Sequence, residues 1–182
     1  MMNGVVSQSM RTKGVTYKFN FGVELPRLQA FAEELRRDCP DCRELALQLR
    51  TDNVRECRLL AAMLMPKDAV DEQLAEEWAD GITVQEEGEY AVMNLFQHLS
   101  CASDLAFRWI ADERPFRRMM GWNLMSRLYS QGKRANERDE REILDHLTAE
   151  KANATRAGAS VEEKMAGLAA MRFSMKISIF AS

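Results

Sequence analysis

Apolar residues recur at intervals of three and four along most of this chain, the period of an α-helix. The densest stretch runs from Tyr90 to Leu128 and predicts three helices in tight succession. The first two carry Val92, Leu95, Phe96, Leu99, Leu105, Ala106, Trp109 and Ile110; the third carries Phe116, Met119, Met120, Leu124 and Leu128. Helices this apolar need cover on more than one side, so the segment is expected in the buried middle of a larger helical stack. Trp78, Trp109 and Trp122 each fall on an apolar stripe and are read as core.

The same period runs on either side of that stretch. Residues 1–20 form a lead-in without periodicity, though Tyr17, Phe19 and Phe21 alternate as an extended segment pinning the terminus would. Leu25, Leu28, Phe31, Ala32 and Leu35 make one stripe of a helix starting at Glu24, with Pro26 in the first turn, where its missing N–H is harmless. Asp38, Cys39 and Pro40 break it, and PDCRELALQLR opens the next. NVRECRLLAAMLM follows, with Asn53 and Glu56 spaced as a capping box and Pro66 as the stop. DAVDEQLAEEWADG makes a fourth helix, closed by Gly81 as a C′ residue. Residues 82–89 join it to the central triplet and include the start of the fifth helix. Beyond Leu128, SQGKRAN and NATRAGAS read as loops around EREILDHLTAE. Ser160 and Glu163 form a second capping box before SVEEKMAGLAAMRFSMK, and ISIFAS ends the chain without a partner in the sequence. About nine helices with short connections, and no hairpin signal, predict an all-α single domain over residues 1–182. Stacked antiparallel pairs and an orthogonal bundle both fit the pattern.

Composition narrows the functional classes. The longest apolar run, Leu59 to Met65, has seven residues, and a membrane span needs roughly 20. The opening MMNGVVSQSMRTKG lacks the apolar block of a secretory signal, so a cytoplasmic location without membrane contact is expected. Cys39 and Cys42 form a C-x-x-C, with Cys57 and Cys101 alone, and His98 and His146 are the only histidines. No second cysteine pair or spaced histidines accompany them, so reduced thiols in or near a core are expected, with no metal and no cofactor. Net charge is −3, which argues against a general nucleic-acid binder. Its distribution is uneven: eight acidic residues and no Lys or Arg lie from Asp71 to Tyr90, and seven basic residues lie from Arg108 to Arg134. A polarised face and two solvated helix ends both explain this.

Three segments in order carry a resemblance. FGVELPRLQAFAEEL, Phe21 to Leu35, is similar to the opening segment of the DNA alkylation repair family, the AlkD-like DNA glycosylases built from HEAT-like repeats. Leu45 to Leu64 is similar to its next helix pair. Leu74 to Leu128, with WADGI, NLF and AFRWIADERPFRRMMGWNLMSRL in sequence, is similar to the part that follows. The resemblance covers roughly residues 20–150. It implies an α-α superhelix, a HEAT-like repeat solenoid, whose basic concave face cradles duplex DNA. It also implies hydrolysis of the glycosidic bond of N3- or N7-alkylated purines. The alkylated base is cationic and leaves readily, so the protein has to stabilise an oxocarbenium-like sugar. A carboxylate and aromatic faces beside the deoxyribose would do so. The family does not draw the base into a pocket, unlike most glycosylases.

Carried over residue by residue, the resemblance marks a departure. Active members have an N-W-D-x-x-D pattern before the helix that here reads Asn94-Leu95-Phe96. Gln85 stands at the position of its tryptophan and Glu89 at that of its catalytic aspartate. Glu89 keeps the charge on a side chain one methylene longer; Gln85 has no π-face, and Gly88 loosens the helix start. A first-turn acid favoured by the helix dipole is the plainer reading of Glu89, as of Glu86 and Glu87. Only Phe173 and Phe180 follow Tyr129 as candidates for the aromatic that the family commonly adds from a late helix. Arg114, Arg117 and Arg118, at a helix start, are candidate phosphate contacts, as are Arg58 and Arg55. Pairing of the three with Asp112 and Glu113 and with the next repeat, and of Arg58 with Glu56 or Glu77, is the alternative. Three functions remain open: an alkylpurine glycosylase of altered motif, a DNA binder without chemistry, and a protein-interaction scaffold.

Overall fold

Helix ends and buried stripes follow the sequence pattern through most of the chain. The computed structural model describes residues 17–39 and 41–180. Among these lie nine α-helices: α1 Leu25–Asp38, α2 Arg43–Thr51, α3 Arg55–Leu64, α4 Glu72–Asp80, α5 Gln85–Asn94, α6 Ala102–Ile110, α7 Pro115–Ser130, α8 Glu137–Thr155 and α9 Val161–Phe180. Short 3-10 turns at Lys67–Ala69 and Phe96–His98 complete them. The fold is all-α, as expected of an α-α superhelix. Pro40 and most of the lead-in lie outside the described residues. The backbone divides into two compact units, one up to Leu95 and one from Phe96.

In the first unit α3 is the hub, packed by α1, α2 and α5. Its apolar run Leu59 to Met65 is buried throughout, because neighbours cover every side. α2 turns back into α3 through Asp52–Val54, a short helical hairpin. The expected capping box at Asn53 and Glu56 does not form. Val54 is the N-cap of α3, and both polar residues are drawn to the lead-in instead. Lys18 N–H donates to Asn53 Oδ1 (3.1 Å), while Phe21 and Val23 N–H donate to Glu56 (3.2 and 3.1 Å). Phe19 pairs with Val54 as a parallel bridge. The alternating aromatics are thus an extended segment held to the α2–α3 corner, with Tyr17 buried. Phe31, expected on the buried stripe of α1, is 47% exposed. Only Leu28 and Ala32 of α1 are buried, so its seam is narrower than the pattern suggested. Gly81 caps α4 in a right-handed conformation rather than a left-handed one. Its missing side chain leaves room for the Arg50 guanidinium, 3.1 Å from where a Cβ would sit.

In the second unit α7 is the hub, packed by α6 and α9. Trp122, Leu124, Met119 and Met120 are buried on different sides of it. Gly121 allows a close approach of α6: a Cβ there would lie 2.7–2.9 Å from the backbone and side chain of Trp109 and Ile110. The aromatics join up. Phe96 meets Trp109 edge-on, and Phe173 of α9 packs on both Trp122 and Tyr129.

Three boundaries differ from the sequence reading. The helix expected to continue past Leu95 ends at Asn94, whose side-chain amide donates to Tyr90 O (2.9 Å), and Phe96–His98 tightens into a 3-10 turn. α8 begins at Glu137 with Asn136 as its N-cap and runs on through residues read as loop to Thr155. α9 continues past Lys176 to Phe180. The Ser160–Glu163 box does form: Ser160 N–H donates to Glu163 Oε2 (2.7 Å), and Glu163 N–H to Ser160 Oγ (3.1 Å).

Candidate functional site

The first turn of α5 packs beside two arginines of α3, and the contacts there sort three acids that look alike in sequence. Arg55 is fully buried. Its Nε and Nη2 donate to the two oxygens of Glu86 (2.8 and 2.7 Å), and its Nη1 to Val23 O (3.0 Å) and Glu56 Oε1 (3.3 Å). Such a bidentate buried pair is structural, and it removes Arg55 from the candidate DNA contacts. Arg58 pairs with Glu87, Nε to Oε1 3.2 Å, rather than with Glu56 or Glu77, and donates from Nη2 to Gly81 O (2.9 Å). Glu87 is buried, and burial raises its pKa to about 7 against the opposing pull of Arg58 and Arg50. Arg50 lies over the Trp78 ring, 5.1 Å from its centroid, and donates to Glu77 O.

Glu89 stands apart from these. It is the fifth residue of α5, one turn inside the helix, so the reading of it as a first-turn acid does not apply. Its carboxylate is half-buried and accepts a hydrogen bond from Gln85 Nε2 (3.0 Å). The two positions singled out by sequence are therefore brought together, as a carboxylate with an amide donor. Gly88, expected to loosen the helix start, is buried within α5.

In the second unit the three arginines at the start of α7 have different surroundings. Arg114 is the N-cap; its backbone N–H and guanidinium bind Asp112 at 2.8–2.9 Å, and its side chain is 58% exposed. Asp112 is held below the usual carboxylate range by those bonds. Arg117 is buried, with its guanidinium over the Trp109 ring at 5.0 Å. Arg118 ties the α6–α7 loop to α8. It donates to Glu150 (2.5 and 3.3 Å) and to the carbonyls of Asp112 and Glu113 (3.0 and 2.8 Å). Trp122 Nε1 donates to the same carboxylate (3.4 Å). Phe173 is core, and the side chain of Phe180 lies outside the described residues. Sequence reasoning missed Glu150 and Glu86 as ionic partners. Glu150 had a signal: it falls seven residues after Ile143 and three after Leu147, on the buried stripe of α8.

A model of the family described as DNA alkylation repair enzyme matches residues 8–160. The chain belongs to that family. No curated protein and no solved structure matches it significantly. The DNA alkylation repair match spans the candidate carboxylate in the first unit and the arginine-bearing start of α7 in the second. All four cysteines are free thiols. Among the described residues no cluster of His, Cys, Asp and Glu could hold a metal, and no helix is long and apolar enough to cross a membrane.

Proposed function

We propose that this protein is an AlkD-like member of its family that binds duplex DNA and slowly excises N3- and N7-alkylated purines. Its helix pairs are read as HEAT-like repeats presenting a DNA-binding face. The observation that carries the proposal is the Gln85–Glu89 pair on α5, standing where the family has its aromatic and its catalytic aspartate. In this reading the alkylated purine departs with the glycosidic electron pair, Glu89 stabilises the cationic sugar, and water adds to C1′ and gives up a proton to solvent. Gln85 supplies a hydrogen bond but no π-face, so one stabiliser remains instead of two. Slow excision follows. Duplex DNA carrying 7-methylguanine, incubated with the protein, should release free base above the spontaneous rate, and Glu89→Gln should abolish the excess. Release unchanged by that substitution sinks the assignment of Glu89.

A specific observation favours a second reading, a DNA- or protein-binding scaffold without chemistry. Arg55 and Arg117 lie inside the fold, and Arg118 is largely enclosed, leaving Arg114 as the most exposed of the arginines at the start of α7. Arg114→Gln should lower the salt slope of duplex binding by about one. Duplex binding without base release would select the binding reading, and no duplex binding at low salt the protein scaffold.

A further inference from the structure

The second unit holds a cavity of about 580 Å³ where α6, the end of α7 and the start of α8 meet. That volume is within the range of small-molecule sites. Phe107, half-buried, and Tyr129 supply aromatic wall; Arg108, Lys133 and Arg134 supply positive charge. The connecting loop is fixed rather than loose. Gly132 takes a left-handed φ of 80°, and the N–H groups of Gly132 and Lys133 donate to Tyr129 O and Leu128 O, both at 3.0 Å. Arg134 is held over the Tyr129 ring, 4.8 Å from its centroid. Two acids share the lining, Asp104 and Asp139, the second accepting from Asn136 Nδ2 (2.8 Å). A site for a bare anion has no use for carboxylates in its wall. A ligand bearing an anionic end, a flat ring and N–H or O–H donors uses every kind of group present.

We infer that this cavity binds an unstacked nucleotide, its ring against Phe107, its phosphate at Lys133 and Arg134, and its amino or hydroxyl donors toward Asp104. Aromatic faces interleaved with cations are how proteins hold nucleotides freed from a duplex. The inference stands apart from Glu89, which belongs to the first unit, and uses none of the arginines at the start of α7. The same chemistry has two sources: a free mononucleotide, or an unpaired nucleotide of a DNA strand.

The test is titration of the full chain with dAMP, read from saturation-transfer NMR and from the aromatic proton resonances of Phe107 and Tyr129. Deoxyadenosine, inorganic phosphate and single-stranded dA6 form the other arms. The double variant Lys133→Glu, Arg134→Glu changes two exposed loop residues, and its fold is checked by circular dichroism. Phe107→Leu removes the ring and keeps the apolar bulk. Saturable dAMP binding is expected, weaker for deoxyadenosine and for phosphate alone, and reduced at least about tenfold by each variant. Tighter binding of dA6 than of dAMP identifies a strand as the source; the reverse identifies a free nucleotide. No saturable change with dAMP, phosphate binding as well as dAMP, or unaltered affinity in the double variant overturns the inference.

Discussion

Glu87 is a carboxylate held where ionisation is unfavourable. Its pKa in the fold is about 7 against an ordinary 4.5, with burial as the main cause. Between those values the folded chain binds more protons than the unfolded one, so stability falls as pH rises through that window and levels off above about 7. The shift corresponds to at most about 3 kcal/mol. Urea melts at pH 5 and pH 8 should show the loss, and Glu87→Gln should flatten it; an unchanged slope in the variant would exclude Glu87 as the source. Arg118 and Glu150 present the opposite case, a paired charge inside the fold. Removing one partner strands the other, so Arg118→Met or Glu150→Gln alone should cost about 3–5 kcal/mol, and the two together less than their sum. A double-mutant cycle by chemical denaturation measures this. Glu150 was visible in the sequence as a charge on an apolar stripe. Glu86 was not: one residue from Glu87 and three from Glu89, it differs from them only through a partner 31 residues away in α3.

The helices themselves were legible because apolar residues recur at helical spacing along them, and Pro26, Ser160 and Glu163 mark starts by local chemistry. Where residues had a more distant use, local rules failed. Asn53 and Glu56 fit a capping box, yet the extended segment before α1 claims both. Asn94 lies in a run that looks helical through Leu99, but α5 stops there, at the boundary between the two units. α7 departs from the amphipathic pattern because α6 and α9 both cover it, and Gly121 lets α6 come within backbone distance. Gly121→Ala should therefore cost about 1–3 kcal/mol or more, through overpacking rather than through helix propensity, which alone would favour alanine. Thermal melts of Gly121→Ala beside Gly132→Ala, where a side chain meets nothing but the backbone is left-handed, separate crowding from conformational strain.

For the whole molecule, the family match ends at residue 160, while α9 continues to Phe180. α9 nevertheless belongs to the core of its unit. Phe173 is fully buried against Trp122 and Tyr129, and Lys176 Nζ donates to Ser130 Oγ (2.6 Å) at the end of α7. A chain cut after Ser160 should expose that apolar surface, bind a hydrophobic dye and lose the cooperative melting of the second unit. A native-like melt from the shortened chain would show α9 to be dispensable. The extended lead-in has a reach beyond its size. Val23 and Phe21 hold Arg55 and Glu56, Arg55 fastens Glu86, and the neighbouring Gln85 bonds to Glu89. A protease nick between Lys18 and Val23 would thus slacken a relay ending at the carboxylate proposed for chemistry, and aim would be lost there before α3 and its neighbours came apart.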